Sequence, residues 1–289
     1  MKVLLTGASG FIGSQLSQKL VSIGHRILSV GRSAGSEFNW SDASLREAVH
    51  QADGVIHLAG ENLFSKRWSA KQKEILRTSR IDSTRKLASL VAARKPSCFI
   101  SASAVGYYGP HESGELREAS PHGNDFLANL CADWESATSP AAQAGVRTAI
   151  VRTGVVLGTG GGALSKMLLP FKLGLGGPLG SGKQWVSWVH IDDVTALYAF
   201  LLENASASGP FNACAPQPVT MKDFAKALGR ALHRPAIFPV PAPMLRLALG
   251  EVADVLLTGQ RVIPQRALDA GFQFQFRDIQ AAFEDVVRR

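Results

Sequence analysis

Three glycines near the N-terminus have the spacing of a phosphate-binding turn. They are Gly7, Gly10 and Gly13, within the run TGASGFIG at residues 6–13. An apolar run at residues 2–5 precedes them, and apolar residues recur at helical spacing after them. Such a strand, turn and helix let the backbone approach a pyrophosphate, and the N-terminus of the helix stabilises the anion. The sequence therefore predicts a dinucleotide site that begins at Gly7.

The end of the second predicted strand distinguishes between two dinucleotides. Gly31, Arg32 and Ser33 occupy the position where an acidic residue would hold the 2′-hydroxyl of NAD. No Asp or Glu precedes Glu37, whereas the guanidinium of Arg32 can pair with a 2′-phosphate and Ser33 can assist it. The sequence therefore predicts NADP as the cofactor. The alternative is that Arg32 is a solvated loop cation.

Composition is typical of an enzyme-sized chain from a reducing compartment. The chain has 289 residues, enough for a substantial core, and 46% of them are hydrophobic. Its 3 cysteines form no CxxC pair, so disulfides and a structural zinc site are not expected. No signal peptide and no apolar run long enough to cross a membrane are visible. We therefore expect a cytoplasmic protein with no membrane partner.

The positive charge of the chain is concentrated in one segment. The net charge is +8, and residues 65–95 alone hold ten Lys or Arg and two Asp or Glu. Ser69 and Gln72 have capping-box spacing, which predicts a long helix with most of these cations on its solvated face. A positive funnel for a phosphorylated ligand is the alternative. Nucleic-acid binding is not expected, because Trp68 is the only aromatic residue in the segment.

Further apolar runs follow at the spacing of a doubly wound parallel sheet. Strands predicted at residues 54–60, 97–101 and 147–152 are separated by helical stretches. We therefore predict an α/β fold of the Rossmann type with a smaller, mostly helical C-terminal substrate region. The predicted division is an NADP-binding domain at 1–157, a substrate-binding region at 158–235 and a helical domain at 236–289, with a strand near 211–213 that returns to the first domain.

Several motifs resemble those of a known family. They are HLAGEN at 57–62, SRIDST at 79–84, SASAVGYYG at 101–109, RTGVVLG at 152–158 and SWVHIDDV at 187–194. With the glycine turn, they resemble an atypical branch of the extended short-chain dehydrogenase/reductases. This branch is the epimerase family, described as nucleoside-diphosphate-sugar epimerase-like. Residues 241–271 resemble its C-terminal domain of unknown function.

The resemblance implies a set of cofactor contacts. In this branch a Glu and an Arg contact the cofactor, which matches Glu74 and Arg80, and Val155 would flank the nicotinamide. The alternatives are a helix-surface ion pair that includes Glu74 and a core position for Val155. Together with the strand ends, the predicted cofactor-binding residues are Gly7, Gly10, Phe11, Ile12, Gly13, Gly31, Arg32, Ser33, Leu58, Ala59, Gly60, Glu74, Arg80, Ser101 and Val155.

The catalytic pattern of the wider family is broken in this chain. Typical members use a Tyr as general acid/base, with a Lys four residues later and a Ser that orients the substrate. Ser103 matches that Ser, but Phe126 and Leu130 stand where the Tyr and the Lys are expected. The predicted catalytic residues are therefore Ser103, Tyr107 and Tyr108, with one of the two tyrosines as a relocated acid/base. Glu61 is an alternative base, His57 and His190 are better explained by packing, and no cluster has metal-ligand spacing.

Two functions remain open at this stage. The first is an NADP-dependent oxidoreductase or epimerase that acts on a small polar or nucleotide-linked substrate. The second is a catalytically silent NADP(H) sensor whose C-terminal domain contacts a protein partner.

Overall fold

The first part of the chain alternates between apolar strands and capped helices. The computed structural model describes residues 1–32 and 35–289. Four of the five residues in the first strand are buried, as expected for a strand covered by helices on both faces. The elements are β1 (Lys2–Thr6), α1 (Phe11–Ser22), β2 (Arg26–Val30), α2 (Asp42–Gln51), β3 (Gly54–His57), α3 (Ala70–Arg94), β4 (Phe99–Ala104), α4 (Phe126–Ser136), α5 (Ser139–Gln143), β5 (Thr148–Thr153) and β6 (Val155–Leu157), with a 3-10 helix at Val105–Tyr108 after β4.

The second part of the chain is mostly helical, with four short strands. Helices in it begin where the sequence offers capping side chains, for example Thr220 and Asp278, which accept backbone N–H groups of the first turn. The elements are α6 (Gly162–Lys172), β7 (Trp185–Val186), β8 (Trp188–His190), α7 (Ile191–Glu203), β9 (Gly209–Ala213), β10 (Val219–Thr220), α8 (Met221–Ala231), α9 (Ala242–Leu249), α10 (Asp254–Leu257), α11 (Gln265–Asp269) and α12 (Ile279–Arg288), with a 3-10 helix at Gly250–Ala253 between α9 and α10.

Six strands form one parallel sheet, which confirms the predicted doubly wound α/β fold. Their order is β2-β1-β3-β4-β5-β9, so the direction of strand addition reverses between β1 and β3. Thr6 pairs with both Val30 and His57 in register, which places the carboxyl ends of three strands side by side. Strand β9 pairs with β5, at the position where residues 211–213 were expected to return to the sheet. Ligands of such sheets bind at the point of reversal.

The C-terminal segment does not build a core of its own. Phe274 packs in the core cluster that holds β1, α1 and α7, whereas Phe283 packs in the cluster around α8. Phe283 and Phe224 lie edge to face with ring centroids 4.9 Å apart. The residues of the predicted third domain at 236–289 are therefore divided between the cores of the other two regions.

The basic segment forms α3, and many of its charges are paired with other elements. Ser69 caps the helix by accepting the N–H of Gln72 at 3.2 Å, which is one half of the expected capping box. Arg77 pairs with Asp133 at 2.8 Å and Lys86 with Asp42 at 2.5 Å. Within residues 1–32 and 35–289, no helix combines the length and the apolar character needed to cross a bilayer.

Candidate cofactor and substrate site

The glycine turn after β1 has a geometry that requires glycine. Gly7 has φ +72°, and a Cβ there would lie 2.9 Å from the carbonyl carbon of Leu58. A Cβ on Gly13 would lie only 2.1 Å from the carbonyl oxygen of Gly7. The N–H of Gly10 donates to that same carbonyl at 3.0 Å, and α1 begins at the next residue without a capping side chain. The first backbone N–H groups of α1 therefore have no capping side chain and can bind a ligand, and the turn fits a pyrophosphate.

A buried hydrogen-bond network fixes the adjacent strand end against this turn. Thr6 Oγ1 accepts the N–H groups of Leu58 and Ala59, both at 3.2 Å, and donates to His57 Nδ1 at 2.6 Å. His57 Nε2 then faces Ser83 Oγ at 3.3 Å. Burial lowers the pKa of His57 to about 3, so the ring is neutral. His57 is therefore a packing residue that positions the predicted contacts Leu58 and Ala59.

The predicted 2′-phosphate residues follow β2 beside the turn. Val30 is the register partner of Thr6, so Gly31 and Arg32 come directly after the pair that borders Gly7. The side chain of Arg32 is exposed. Ser33, the third predicted residue, lies outside the described residues. The structure thus places one exposed cation next to the glycine turn.

The predicted cofactor contacts Glu74 and Arg80 have different environments in the structure. Glu74 is exposed on α3, whereas Arg80 is buried and faces the loop that follows β3. The guanidinium of Arg80 donates to the carbonyls of Glu61 at 2.7 Å and Leu76 at 3.2 Å, and it stacks 5.3 Å from the centre of the Trp134 ring. Burial lowers the pKa of Arg80.

A large cavity lies beyond the carboxyl ends of the strands. Its volume is about 1270 Å³, and its wall is formed by the glycine-turn helix α1, by β6, α4, α6 and α8, and by the C-terminal segment. Phe11, Ile12, Arg80 and Val155 are the predicted cofactor residues that line it. The dinucleotide turn and the cavity are therefore continuous through the first residues of α1.

Two further predicted cofactor residues lie close to this surface without lining the cavity. A Cβ on Gly60 would lie 3.3 Å from the Arg80 side chain, so the glycine allows that side chain to pack against the loop. Ser101 is fully buried in β4, and its hydroxyl donates to the carbonyl of Ala102 at 3.3 Å.

The predicted catalytic residues belong to a buried polar network. Ser103 Oγ donates to Glu135 Oε1 at 2.7 Å, and Arg152 holds both oxygens of Glu135 at 2.8 Å. The Tyr108 hydroxyl accepts from Arg152 at 2.9 Å and donates to Asn212 at 2.7 Å. Burial raises the pKa of Tyr108 to about 12. Within the described part of the chain, neither Ser103 nor either tyrosine is among the residues that line the cavity.

Tyr107 differs from its neighbour in exposure and in contacts. Its ring lies 3.4 Å from the guanidinium carbon of Arg152 and packs edge to face on Tyr108. The residue is only half-buried. No described residue is hydrogen-bonded to its hydroxyl, so of the three predicted catalytic residues it has the least committed polar group.

Helix α4 brings apolar side chains to the cavity at Phe126 and Leu130, the positions where the resemblance led us to expect a Tyr and a Lys. Phe126 packs edge to face on Trp68 at 5.2 Å, and Lys73 Nζ lies 5.0 Å from its ring centre. Asp125 caps the helix by accepting the N–H of Ala128 at 2.7 Å. These positions supply hydrophobic contact and no proton donor.

Sequence reasoning did not single out Glu135 and Arg152, the buried ion pair that holds the hydroxyls of Ser103 and Tyr108. A signal was present, because Arg152 interrupts an otherwise apolar strand at its carboxyl end. A buried cation in such a position needs a carboxylate partner. The identity of that partner, 17 residues earlier on α4, follows only from the fold.

One group of side chains among the described residues has metal-like spacing, namely His190, Asp192 and Asp285. His190 Nδ1 accepts the backbone N–H of Asp192, so the proton is on Nε2, 3.2 Å from Asp285. Arg289 pairs with both carboxylates. The group is therefore an ion-pair network that attaches α12 to the start of α7.

The parallel sheet with a glycine turn at its point of reversal defines a Rossmann-type dinucleotide-binding protein. The family model described as "NAD dependent epimerase/dehydratase family" matches residues 3–214, and the model of a domain of unknown function, DUF1731, matches residues 240–286. The chain belongs to the NAD dependent epimerase/dehydratase family, which confirms the resemblance seen in the sequence.

Relatives match over nearly the whole chain. The mouse "Epimerase family protein SDR39U1" is 44% identical over 295 residues, which cover 99% of this chain and 100% of the relative. A chloroplastic homologue from Arabidopsis thaliana is 40% identical and covers 100% of this chain and 87% of its own. The crystal structure of human SDR39U1 (isoform2) with NADPH superposes with a TM-score of 0.93 at 37% identity and covers 100% of both chains.

Proposed function

We propose that this protein is an NADP(H)-dependent oxidoreductase of the epimerase family. The observation that carries the proposal is the continuity of two sites. Phe11 and Ile12 directly follow the glycine turn and also line the cavity, so a dinucleotide on the turn extends toward a substrate space. The human relative was crystallised with NADPH, in agreement with Arg32 in place of an acidic residue.

Different residues of the chain bind different parts of the cofactor. Gly7, Gly10 and Gly13 admit the pyrophosphate, and Arg32 pairs with the 2′-phosphate. Val155 and the apolar wall of the cavity exclude water from the reacting end. When bound, the cofactor supplies hydride exchange at its nicotinamide ring.

We assign proton exchange with the substrate oxygen to Tyr107, whose hydroxyl has no hydrogen-bond partner among the described residues; its side chain does not line the cavity, but its neighbours Val105 and Gly106 do. The raised pKa of Tyr108, about 12, and its two hydrogen bonds make it a poor acid/base at neutral pH. The hydroxyl of Ser103 is held by Glu135. Burial also raises the pKa of Cys131, on the cavity wall, to about 12, so its thiol is not a nucleophile.

A second candidate function is a cofactor sensor, and a specific contact favours it. Arg67 lies in the loop after β3 that lines the cavity, and its guanidinium donates to the carbonyls of Leu247 and Ala248 at the end of α9. A change in this loop on cofactor binding would therefore reach the C-terminal segment. In this function the segment would report NADP(H) occupancy to a protein partner.

Two measurements distinguish these functions. Calorimetry with NADPH and NADH tests the cofactor, and NADPH oxidation with a panel of carbonyl compounds tests the reaction. We expect turnover that is lost in Tyr107→Phe and kept in Tyr108→Phe, with NADPH affinity unchanged in both variants. Binding without any turnover would select the sensor, and absence of binding to both dinucleotides would reject both functions.

A further inference from the structure

The cavity is large, and much of its wall is apolar. Its volume of about 1270 Å³ exceeds the roughly 300–1,000 Å³ of most small-molecule pockets. This volume includes the space that the nicotinamide end of a dinucleotide would take, because the predicted cofactor residues Phe11, Ile12 and Val155 line the same cavity, and the remainder is left for the substrate. Apolar side chains from three different elements form much of its wall; they include Val155 and Val156 of β6, Phe126 and Leu130 of α4, and Met167 and Phe171 of α6.

Three polar side chains on the wall are already bonded to backbone carbonyls of the protein. Trp68 Nε1 donates to the carbonyl of Leu63 at 2.9 Å, and Gln260 Nε2 donates to that of Val105 at 2.7 Å. Ser187 Oγ donates to the carbonyl of Gln260 at 2.7 Å. A sugar nucleotide would bring a diphosphate and several hydroxyls into this space, and each polar group left without a partner weakens binding. These three side chains therefore offer few free partners for the hydroxyls of such a ligand, whereas its phosphates would meet the same cations as any other anion.

Cations without acidic partners distinguish one part of the wall. Lys66 is exposed and, across residues 1–32 and 35–289, has no carboxylate partner. Lys166 of α6 donates only to the carbonyl of Phe64, at 3.2 Å. Three acids line the same wall: Glu251 and Asp254 are each paired with a basic side chain, and Asp125 caps α4 by accepting the N–H of Ala128. Five Lys or Arg side chains line the wall against these three acids, so its net charge is positive.

We propose that the cavity binds an apolar molecule that carries one anionic group, an acyl chain or ring system with a carboxylate or a phosphate, and not a sugar nucleotide. The apolar body packs along α4 and α6, and the anionic group meets Lys66 and Lys166. Leu175 supports this arrangement, because it lines the cavity and is also 60% exposed, so apolar surface continues from the cavity toward solvent. This assignment rests on the proposed function only for the reaction, since binding can be measured without turnover.

Calorimetry on the full-length protein saturated with NADPH tests the proposal. Dodecanoate, dodecyl phosphate, dodecanol, hexanoate and UDP-glucose are titrated at concentrations below those at which micelles form. We expect dodecanoate or dodecyl phosphate to bind at least tenfold more tightly than dodecanol and hexanoate, and UDP-glucose to bind more weakly than either anion. The ratio of the two anions distinguishes a carboxylate from a phosphate as the natural head group.

Charge variants test the role of the two lysines. The double substitution Lys66→Gln and Lys166→Gln is expected to weaken the dodecyl anions about fivefold and to leave dodecanol unchanged. Lys172→Gln is the matched control, because Lys172 is an exposed cation on the same helix that does not line the cavity. It should alter none of the affinities.

The outcomes separate this inference from the proposed function. NADPH binding with no affinity for the dodecyl ligands, tighter binding of UDP-glucose, or equal loss in Lys172→Gln would overturn the assignment of the cavity and leave the cofactor site intact. Binding of the dodecyl anions without any turnover of carbonyl compounds would support the cavity assignment and reject the oxidoreductase.

Discussion

The glycine turn and the cavity wall recognise ligands by different means. At the turn, backbone atoms approach so closely that a Cβ on Gly13 would lie 2.1 Å from a carbonyl oxygen. At the cavity, side chains from α4, α6 and the C-terminal segment create the surface, and polar groups such as Trp68 Nε1 and Gln260 Nε2 are bonded to backbone carbonyls. A backbone site tolerates only one residue type at a position, whereas a side-chain site can change its chemistry by substitution. This contrast explains how one cofactor fold can serve different substrates.

The strongest test of the backbone site is Gly13→Val. Because the added side chain collides with the carbonyl of Gly7, we expect NADPH affinity to fall at least about 100-fold, which corresponds to roughly 2.7 kcal/mol. Calorimetry measures the loss. Gly106→Ala is the control, since its Cβ would meet Leu127 at an ordinary 3.6 Å. Retained NADPH affinity in Gly13→Val would show that the turn is not the cofactor site.

The buried network behind the cavity is tested by Glu135→Gln. This change leaves the Arg152 guanidinium buried without its carboxylate, and we expect the free energy of unfolding to fall by roughly 3–5 kcal/mol. Asp133→Asn on the same helix is the control, because its pair with Arg77 is exposed and should be worth less than about 1 kcal/mol. Urea denaturation measures both. Equal losses in the free energy of unfolding would show that the buried pair of Glu135 with Arg152 contributes no more stability than the exposed pair of Asp133 with Arg77.

Arg32→Ala tests the residue that is predicted to bind the 2′-phosphate at the edge of the cofactor site. Loss of a charge-assisted contact with the 2′-phosphate should weaken NADPH binding about 10- to 100-fold, equivalent to roughly 1.4–2.7 kcal/mol, and leave NADH binding unchanged. Arg26→Ala, an exposed cation on β2 paired with Glu37, is the matched control. A uniform loss for both dinucleotides in Arg32→Ala would reject the assigned role.

The pH dependence of stability tests the network at the point of strand reversal. Burial lowers the pKa of His57 to about 3, against an ordinary value of about 6.5 in the unfolded chain. Below pH 6.5 the unfolded state therefore takes up a proton that the native state does not, and stability falls as pH falls. Between pH 6.5 and 5 the loss from this group is about 2 kcal/mol. His57→Gln should remove this part of the slope, whereas His50→Gln, at an exposed site, should keep it.

How much of the molecule the sequence predicts depends on how local each feature is. The glycine turn is set by neighbours along the chain, so Gly7, Gly10 and Gly13 could be assigned from spacing alone. The environments of Glu74 and Arg80, both expected from the resemblance to contact the cofactor, could not be assigned in this way, because they depend on which face of α3 turns inward: Arg80 is buried and Glu74 is exposed.

The predicted catalytic residues show the same limit. Ser103 and Tyr108 are close in sequence to a strand end, which suggested a place in the cleft. Their partners, Glu135 and Asn212, come from distant elements, and these contacts turn both hydroxyls toward the interior. Proximity in sequence to a strand end predicts where a residue lies in the fold but not which way its side chain points, because tertiary contacts decide the orientation of the side chain.

Because of its aromatic residues, the C-terminal segment is difficult to replace with the corresponding segment of another protein. Phe274 fills the core beneath the sheet and Phe283 fills the core beside α8, so the segment occupies two interiors at once. A hybrid that carried this stretch from a distant homologue would have to match both interiors together. Replacement of this segment alone is therefore expected to leave at least one of the two interiors poorly packed.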